Sequence, residues 1–197
     1  MLQTPTVSVV IATVKADMGY RHTREEILEG ALAVALDVGL SRLTFGRVAT
    51  AMGINDRTVV YYFPTKDDLI AAVVMSMGVQ LQATLGQAFS SPAAGHLELA
   101  RAAWPVLARP DADAIFALFF EANGLAAAGR PPFDSLVPQL VEAWVTWVMS
   151  YLTGTTRQRR AEAEATIALL DGLLLLRQLG GPDSAARAAR RLGVAGR

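Results

Sequence analysis

Residues Leu43 to Leu69, LTFGRVATAMGINDRTVVYYFPTKDDL, contain two short helical segments separated by one glycine. Thr44 is a suitable N-cap for the first segment, and Gly53 is a suitable residue to end it. Asn55 is placed to cap a second segment that starts at Asp56. One face of the first segment is apolar at helical spacing, through Phe45, Val48, Ala49 and Met52, and the second turns Val59 and Phe63 inward. The order of helix, tight turn and helix predicts a helix-turn-helix.

The other side of the second segment is free to contact a partner, and in a helix-turn-helix that side enters the major groove of DNA. Arg57, with Asn55 or Asp56, is expected near base edges, because side chains of this kind read bases by hydrogen bonding. Thr44 and Arg47 are expected to reach phosphates from the first segment. Val60 is expected at the DNA-facing end of the second segment, and the remaining predicted contacts, mainly to phosphates, are Thr58, Tyr61, Tyr62 and Lys66.

Three motifs surround and include this segment: ThrArgGluGluIle at 23–27, LeuThrPheGlyArgValAlaThrAlaMetGlyIle at 43–54 and TyrTyrPheProThrLysAspAspLeu at 61–69. In this order, with Gly39 closing a first helix, they resemble the TetR family of transcriptional regulators. The resemblance covers residues 22 to 70. It implies a homodimer that binds a palindromic double-stranded DNA operator and is released by a small effector. Two positions depart from the family pattern: Val60 replaces a DNA-contacting tyrosine, and Gly46 lacks a side chain that reads a base in some relatives.

Composition is consistent with a small regulator. The chain has 197 residues, 52% of them apolar, and a formal net charge of zero, which argues against non-specific coating of nucleic acid. It has no cysteine, and its histidines, His22 and His96, lie outside any metal motif, so neither a metal nor a cofactor is predicted. The apolar run at 6–14 is too short to cross a bilayer. A cytoplasmic protein without membrane contact is therefore expected.

The fold is predicted to be all-α, since glycine and proline breaks separate helical segments throughout. An arm at 1–19, extended or disordered, precedes a three-helix DNA-binding domain at 20–66, and Met18 offers an alternative start. A helical ligand-binding and dimerisation domain follows at 67–197. Its helices are predicted from Lys66 toward Phe89 and at 94–108, 111–127, 133–153, 156–179 and 183–192.

The second domain has an aromatic segment at 113–124, preceded by Trp104 and the helix-kinking Pro105. Aromatic walls with a few polar groups are typical of a ligand cavity. The predicted ligand-binding residues are Trp104, Phe116, Phe119, Phe120, Glu121 and Asn123, with Glu121 facing a cationic or hydrogen-bond-donating group. A core stripe with Glu121 in solvent explains the same pattern.

Two later segments, at 135–152 and 167–176, are too apolar for surface helices. Paired with their copies from a second subunit, they would form a four-helix interface, as the resemblance also implies. The predicted interface residues are Leu140, Trp144, Trp147, Leu170 and Leu174. Asp171 is interpreted as a local cap or pairing partner, and Gly172 as a site of close helix packing.

No nucleophile elbow, phosphate-binding loop or metalloprotease motif is present in the sequence, so an enzyme is not expected. The hypothesis is a ligand-responsive repressor that a small hydrophobic molecule releases from its operator. The alternative is a helical module that binds small molecules or lipids without specific DNA binding. That alternative accounts for residues 90–197 but leaves 43–69 unexplained.

Overall fold

A computed structural model describes residues 22–89 and 92–196 of the chain, so the predicted arm at 1–19 lies outside the described residues. The described part is all-α, as predicted, and its only extended pairing is an isolated bridge between Ala93 and Leu152. The helices, in chain order, are α1 (Arg24–Val38), α2 (Phe45–Met52), α3 (Asp56–Tyr62), α4 (Lys66–Ala88), α5 (His96–Leu107), α6 (Asp113–Ala127), α7 (Phe133–Met149), α8 (Thr156–Gly180) and α9 (Pro182–Arg191). A 3₁₀ turn, Pro110–Ala112, precedes α6.

Side-chain caps fix most of these starting points. Thr23, Thr65 and Thr155 each form a capping box with an acidic or amide residue three positions later, which satisfies backbone N–H groups at the helix start. The predicted caps Thr44 and Asn55 are confirmed, as is the stop at Gly53. The helix predicted at 133–153 ends early, at Met149. Ala93 N–H donates to the Tyr151 carbonyl at 2.6 Å, and Thr153 N–H donates to the Ala93 carbonyl at 3.0 Å. The residues after Met149 therefore pair with Ala93, in the loop between α4 and α5.

Two apolar cores lie at opposite ends of α4. We call α1 to α3 the head and α5 to α9 the body. The head core joins the three head helices to the first half of α4 and to residues of α6 and α7, and consists of Ile27, Ala31, Leu32, Ala35, Leu40, Leu43, Val48, Ala49, Val59, Phe63, Leu69, Ile70, Val73, Val74, Met77, Leu118, Ala122 and Phe133. The body core is formed by the second half of α4 with α5 to α9, around residues such as Leu99, Phe116, Val148 and Leu174.

α4 therefore belongs to both cores. The predicted division between residues 66 and 67 falls at its first residue, whereas packing carries the head core on to Met77. By length and composition, α4 is the one described helix able to cross a membrane. The burial of Leu69, Val73 and Leu85 in the two cores accounts for part of that apolarity.

Candidate functional site

The turn between α2 and α3 fixes the angle between the two helices. Gly53 is left-handed, with φ 67° and ψ 31°, and its N–H donates to the Ala49 and Thr50 carbonyls. Ile54 N–H also donates to the Ala49 carbonyl, at 3.0 Å, which completes the cap. Val48 and Val59 are fully buried between the helices. The polar side of α3 is consequently turned to the outside.

The residues predicted to contact DNA lie on this outer side of α2, α3 and the start of α4. Tyr61 is 78% exposed and Val60 is 40% exposed, although both are apolar enough to favour burial. Thr58 and Tyr62 are half-buried. The other exposed members of the set are Thr44, Arg47, Asn55, Asp56, Arg57 and Lys66.

Three of these side chains also bind within the chain. The side-chain amide oxygen of Asn55, Oδ1, accepts from Arg57 N–H at 2.9 Å, and the Thr44 hydroxyl accepts from Arg47 N–H at 3.3 Å, so each caps its helix. Lys66 Nζ donates to the Ser41 carbonyl at 3.3 Å, which holds the ammonium beside the loop between α1 and α2. An ammonium has three donors and an amide group two, so both retain protons for DNA.

Tyr62 is placed differently from expectation. Its hydroxyl donates to the His22 carbonyl at 2.7 Å, and its ring meets Tyr61 edge-on at 4.9 Å between centroids. The proton that a phosphate would accept is therefore already engaged. Tyr62 braces α1 against α3 and orients Tyr61, a role that depends on a contact 40 positions away along the chain.

Glu121 also departs from its predicted role. Its carboxylate points away from the cavity and accepts three hydrogen bonds, from Leu40 N–H at 2.8 Å, Ser41 N–H at 2.9 Å and the Ser41 hydroxyl at 2.6 Å. Burial alone would raise the pKa of Glu121, but these hydrogen bonds outweigh it and lower the pKa below its usual value. We call this contact the Glu121 clasp.

The clasp requires glycine at position 39. Gly39 has φ 86°, which side-chain-bearing residues rarely adopt, and a Cβ there would lie 2.9 Å from the Glu121 carboxylate. The end of α1 is thus shaped to receive a side chain from α6. The sequence showed a carboxylate on α6 but not its partner, because that partner lies about 80 positions earlier along the chain.

An apolar cavity of about 110 Å³ lies in the body, between α4, α6, α7 and α8. Its walls are mainly aliphatic and aromatic, and three of its lining side chains are polar: Asn123, Thr166 and Asp171. The Thr166 hydroxyl donates to the Glu162 carbonyl at 2.7 Å. The volume is similar to that of cavities that hold a single benzene-sized molecule.

Half of the predicted ligand residues line this cavity. Phe116, Phe119 and Asn123 do so, because α6 presents positions 115, 116, 118, 119, 122 and 123 to it. Trp104, Phe120 and Glu121 do not. Trp104 is buried beside a separate surface cleft near Arg190. Phe120 packs edge-on against Phe119 at 5.2 Å, on the face of α6 that turns away from the cavity.

The residues predicted to form a dimer interface all line the cavity instead: Leu140, Trp144, Trp147, Leu170 and Leu174. Leu174 is only 2% exposed, and the two tryptophans pack edge-on at 5.2 Å. The sequence did not indicate this inward face, because α7 and α8 each have two apolar faces, and the interface itself stays a prediction. On α8, the apolar residues that remain exposed are Leu175, Leu176 and Leu179.

Asp171 also lines the cavity, which corrects its interpretation as a local cap. Among the described residues its side chain has no hydrogen bond or ion pair, and it is the only ionisable group in the cavity wall. Burial raises the pKa of Asp171 to about 6. A lone carboxylate in an otherwise apolar helical run was the sequence signal for this position.

No three histidine, aspartate or glutamate side chains within residues 22–89 and 92–196 are grouped so that they would hold a metal ion. Two candidate sites of the described chain are the exposed helix-turn-helix surface and the cavity. Such a head, carried on a helical body, defines a helix-turn-helix DNA-binding regulator.

Comparison with known proteins finds one family that matches the head, and solved structures that share the fold. The sequence pattern described as "Bacterial regulatory proteins, tetR family" matches residues 27–73. A transcriptional regulator from Rhodococcus sp. Rha1 superposes with a TM-score of 0.69 at 19% identity, covering 88% of this chain and 94% of that one. A TetR transcriptional regulator from Legionella pneumophila gives 0.60 at 21% identity, covering 89% and 97%. No curated protein matches significantly.

The multidrug binding protein EbrR is 25% identical to this chain. Its complex with proflavin gives a TM-score of 0.60, covering 88% of this chain and 99% of EbrR. Its complex with imidazole gives 0.62, covering 87% and 92%. Residues 27–73 of the chain therefore match the TetR family of transcriptional regulators, and the described helices share the fold of TetR-family regulators.

Proposed function

We propose that this regulator is a homodimeric repressor that leaves its DNA operator when a small apolar molecule enters the body cavity. The main support is that Val74, Met77, Leu118 and Ala122 belong to the head core and also line the cavity. A ligand that displaces these side chains must disturb the packing that orients α3. Close-packed interiors transmit such displacements because they have little free volume to absorb them.

The DNA side rests on the exposed surface of α2 and α3. Arg57 reads base edges, while Thr44, Arg47 and Lys66 bind phosphates. Tyr61 and Val60 supply apolar contact, which accounts for their exposure in the free protein. Tyr62 contributes through its hydrogen bond to α1 rather than by donating to a phosphate.

The ligand side rests on the cavity and on the relatives. EbrR binds proflavin and imidazole, both ring compounds. In this chain the cavity of about 110 Å³ fits a molecule built around one ring, packed against Phe116, Phe119, Trp144 and Trp147. A larger ligand would have to widen the cavity.

Two connections carry the signal to the head. The first is α4, which begins at the DNA-binding surface with Lys66 and passes the cavity wall at Val74 and Met77. The second is the Glu121 clasp, because α6 lines the cavity with Phe116 and Phe119 and holds the end of α1 with Glu121. A hundredfold loss of operator affinity requires a coupling free energy of about 2.7 kcal/mol, within the usual range for allosteric proteins.

The dimer is proposed through the outer faces of α7 and α8. Leu175, Leu176 and Leu179 leave 42%, 38% and 81% of their surface exposed there. Gly172 lies on the same face of α8, and no atom of its own subunit lies within 4 Å of an added Cβ, so a partner helix is able to approach closely. Two subunits would set their α3 helices one or more DNA turns apart, roughly 34 to 36 Å per turn.

The test is a gel mobility shift with DNA from upstream of the protein's own coding sequence, followed by ligand release. Arg57→Ala should lower affinity for that DNA by about 1–3 kcal/mol and relax its sequence preference. Lys66→Ala should weaken specific and random DNA alike. Equal, sequence-independent losses in both variants would remove Arg57 from base reading.

Ligands are found by thermal shift with small ring compounds, and each hit is then added to the protein–DNA complex. Release of the DNA by hits that stabilise the protein is the expected result. A hit that stabilises the protein and leaves the complex intact would contradict the coupling. Leu179→Asp should give monomers in sedimentation, whereas Leu192→Asp, exposed beyond α9, should not.

A further inference from the structure

The charge balance of the cavity is uneven. Its wall contains one acidic side chain, Asp171, and no lysine, arginine or histidine among the described residues. Asn123 is the other polar side chain without a hydrogen bond in the described structure, and the Thr166 hydroxyl is engaged by the Glu162 carbonyl. The cavity thus contains one carboxylate with no counter-ion from its own subunit.

Leaving that carboxylate unpaired is costly. Burial raises the pKa of Asp171 to about 6, so the group is mostly ionised at neutral pH in surroundings that disfavour its charge. A charge buried in this way is usually paired with an opposite charge. The space beside Asp171 is open to a ligand, because the side chain lines the cavity and binds no other described residue.

The rest of the wall is suited to an organic cation. Phe116, Phe119, Trp144 and Trp147 line the same cavity, and the faces of such rings attract cations within about 6 Å of the centroid. A metal ion would need several oxygen ligands, whereas only three side chains of the wall carry oxygen, those of Asp171, Asn123 and Thr166, and only Asp171 is charged. The charge and the aromatic rings therefore favour a cation with a large apolar surface.

We propose that Asp171 is the counter-ion for a small organic cation of the ammonium class that carries one ring, bound among these aromatic side chains. The proposal rests on the cavity being the effector site, as proposed above, and it names the chemical class of the effector. It assigns to Asp171 the role that the sequence had suggested for Glu121, whose carboxylate is occupied by the clasp.

The test compares two ligands of the same shape that differ in charge, phenyltrimethylammonium and tert-butylbenzene. Binding of each is measured by calorimetry at a pH of about 8, well above the pKa of Asp171. Asp171→Asn, which keeps the side-chain shape, should weaken the binding of phenyltrimethylammonium by about tenfold or more. The same substitution should leave the affinity for tert-butylbenzene within about threefold of the wild-type value. Asp171→Glu, which keeps the charge, should retain the preference for the cation.

Glu164→Gln is the matched control, because it removes one negative charge from an exposed position on the same helix, outside the cavity wall. It should change neither affinity. Equal losses of both ligands in Asp171→Asn, or no loss of the cation, would overturn the counter-ion role while leaving the cavity site intact. If the wild-type protein bound neither ligand, the cavity site itself and the proposal built on it would both fail.

Discussion

The head and the body bury their apolar side chains in different ways. In the head, Ile27, Leu40, Leu43, Val48 and Val59 are fully buried, and none of the five lines the body cavity. In the body, α4, α6, α7 and α8 surround open space. A solid core keeps a surface in one shape, as DNA reading requires, whereas a hollow one has room for a ligand to change it. Some side chains belong to the head core and also line the cavity, so a ligand in the body is able to affect the head.

The largest expected effect compares one phenylalanine from each region. Phe63 in the head core is 1% exposed and lies under Arg24, 4.8 Å from the ring centroid. Phe63→Ala should lower the free energy of unfolding by about 3–5 kcal/mol, the usual loss for a buried phenylalanine. Phe119→Ala, in the cavity wall, should cost about half as much, since its ring already borders open space.

Urea unfolding of both variants at one fixed protein concentration measures this difference, since the stability of a dimer depends on concentration. Equal losses would mean that the cavity is closed in solution and that the body is as solid as the head.

A second prediction uses the unpaired carboxylate of the body. With an unfolded pKa near 3.8 and a folded pKa of about 6, Asp171 destabilises the protein when it is ionised. Asp171→Asn should therefore raise the free energy of unfolding by up to about 3 kcal/mol at a pH of about 8. The wild-type protein regains this stability as the pH falls from about 6 toward 4, because protonation of Asp171 then favours the folded state.

The measurement is the difference in free energy of unfolding between wild type and Asp171→Asn across that pH range, without ligand. Glu164→Gln serves again as the exposed control. A difference that stays constant with pH would show that Asp171 is not titrating in the cavity.

Sequence patterns located the helix caps and the turn of the head, but they did not indicate which faces of the body helices point inward, for a physical reason. Thr44, Gly53 and Asn55 act on backbone groups within a few residues, so their roles are readable from local order. The inward faces of α7 and α8 depend on which of two apolar stripes meets α4 and α6. Nothing local to Trp144 or Leu174 specifies that choice, and the sequence did not indicate that both would line the cavity.

Long-range polar contacts were hidden for the same reason. Glu121 lies in an aromatic segment, which made a cavity role plausible, but its partners are at the end of α1. Tyr62 lies in the DNA-binding motif, yet its hydroxyl binds next to α1. In each case the residue type indicated a polar role, but the sequence did not indicate which partner the side chain would bind.

A third prediction concerns the Glu121 clasp, which joins the two regions. Glu121→Gln removes the charge from three hydrogen bonds and should cost about 1–2 kcal/mol of stability at neutral pH. Operator affinity without ligand should change little, since the surface of α3 is untouched. The ligand-induced loss of affinity should become about fivefold to tenfold smaller, because α6 no longer holds the end of α1 firmly.

Mobility shifts with and without a cavity ligand give the two affinities. Glu98→Gln, on α5, is the control for loss of one exposed carboxylate. Full ligand response in Glu121→Gln would leave α4 as the route between the regions. Because the hydrogen bonds lower the pKa of Glu121, its contribution should persist at neutral pH and be lost only as acid protonates it below its usual range.

The smallest expected effect compares two glycines within the head. Gly53 is left-handed, with φ 67°, and no atom lies within 4 Å of an added Cβ, so Gly53→Ala is penalised by backbone conformation alone, at about 1 kcal/mol. Gly46 lies within α2 and also has nothing within 4 Å, so Gly46→Ala should stabilise the head by about 0.5–1 kcal/mol through helix propensity. Thermal unfolding of both variants without DNA shows whether each substitution raises or lowers the stability of the protein.

Gly53→Asn should cost less stability than Gly53→Ala, since asparagine tolerates the left-handed region better. Two changes of the same sign would mean that the turn after α2 does not keep its left-handed geometry in solution, and the orientation of α3 would then depend on DNA rather than on the solid core beneath it.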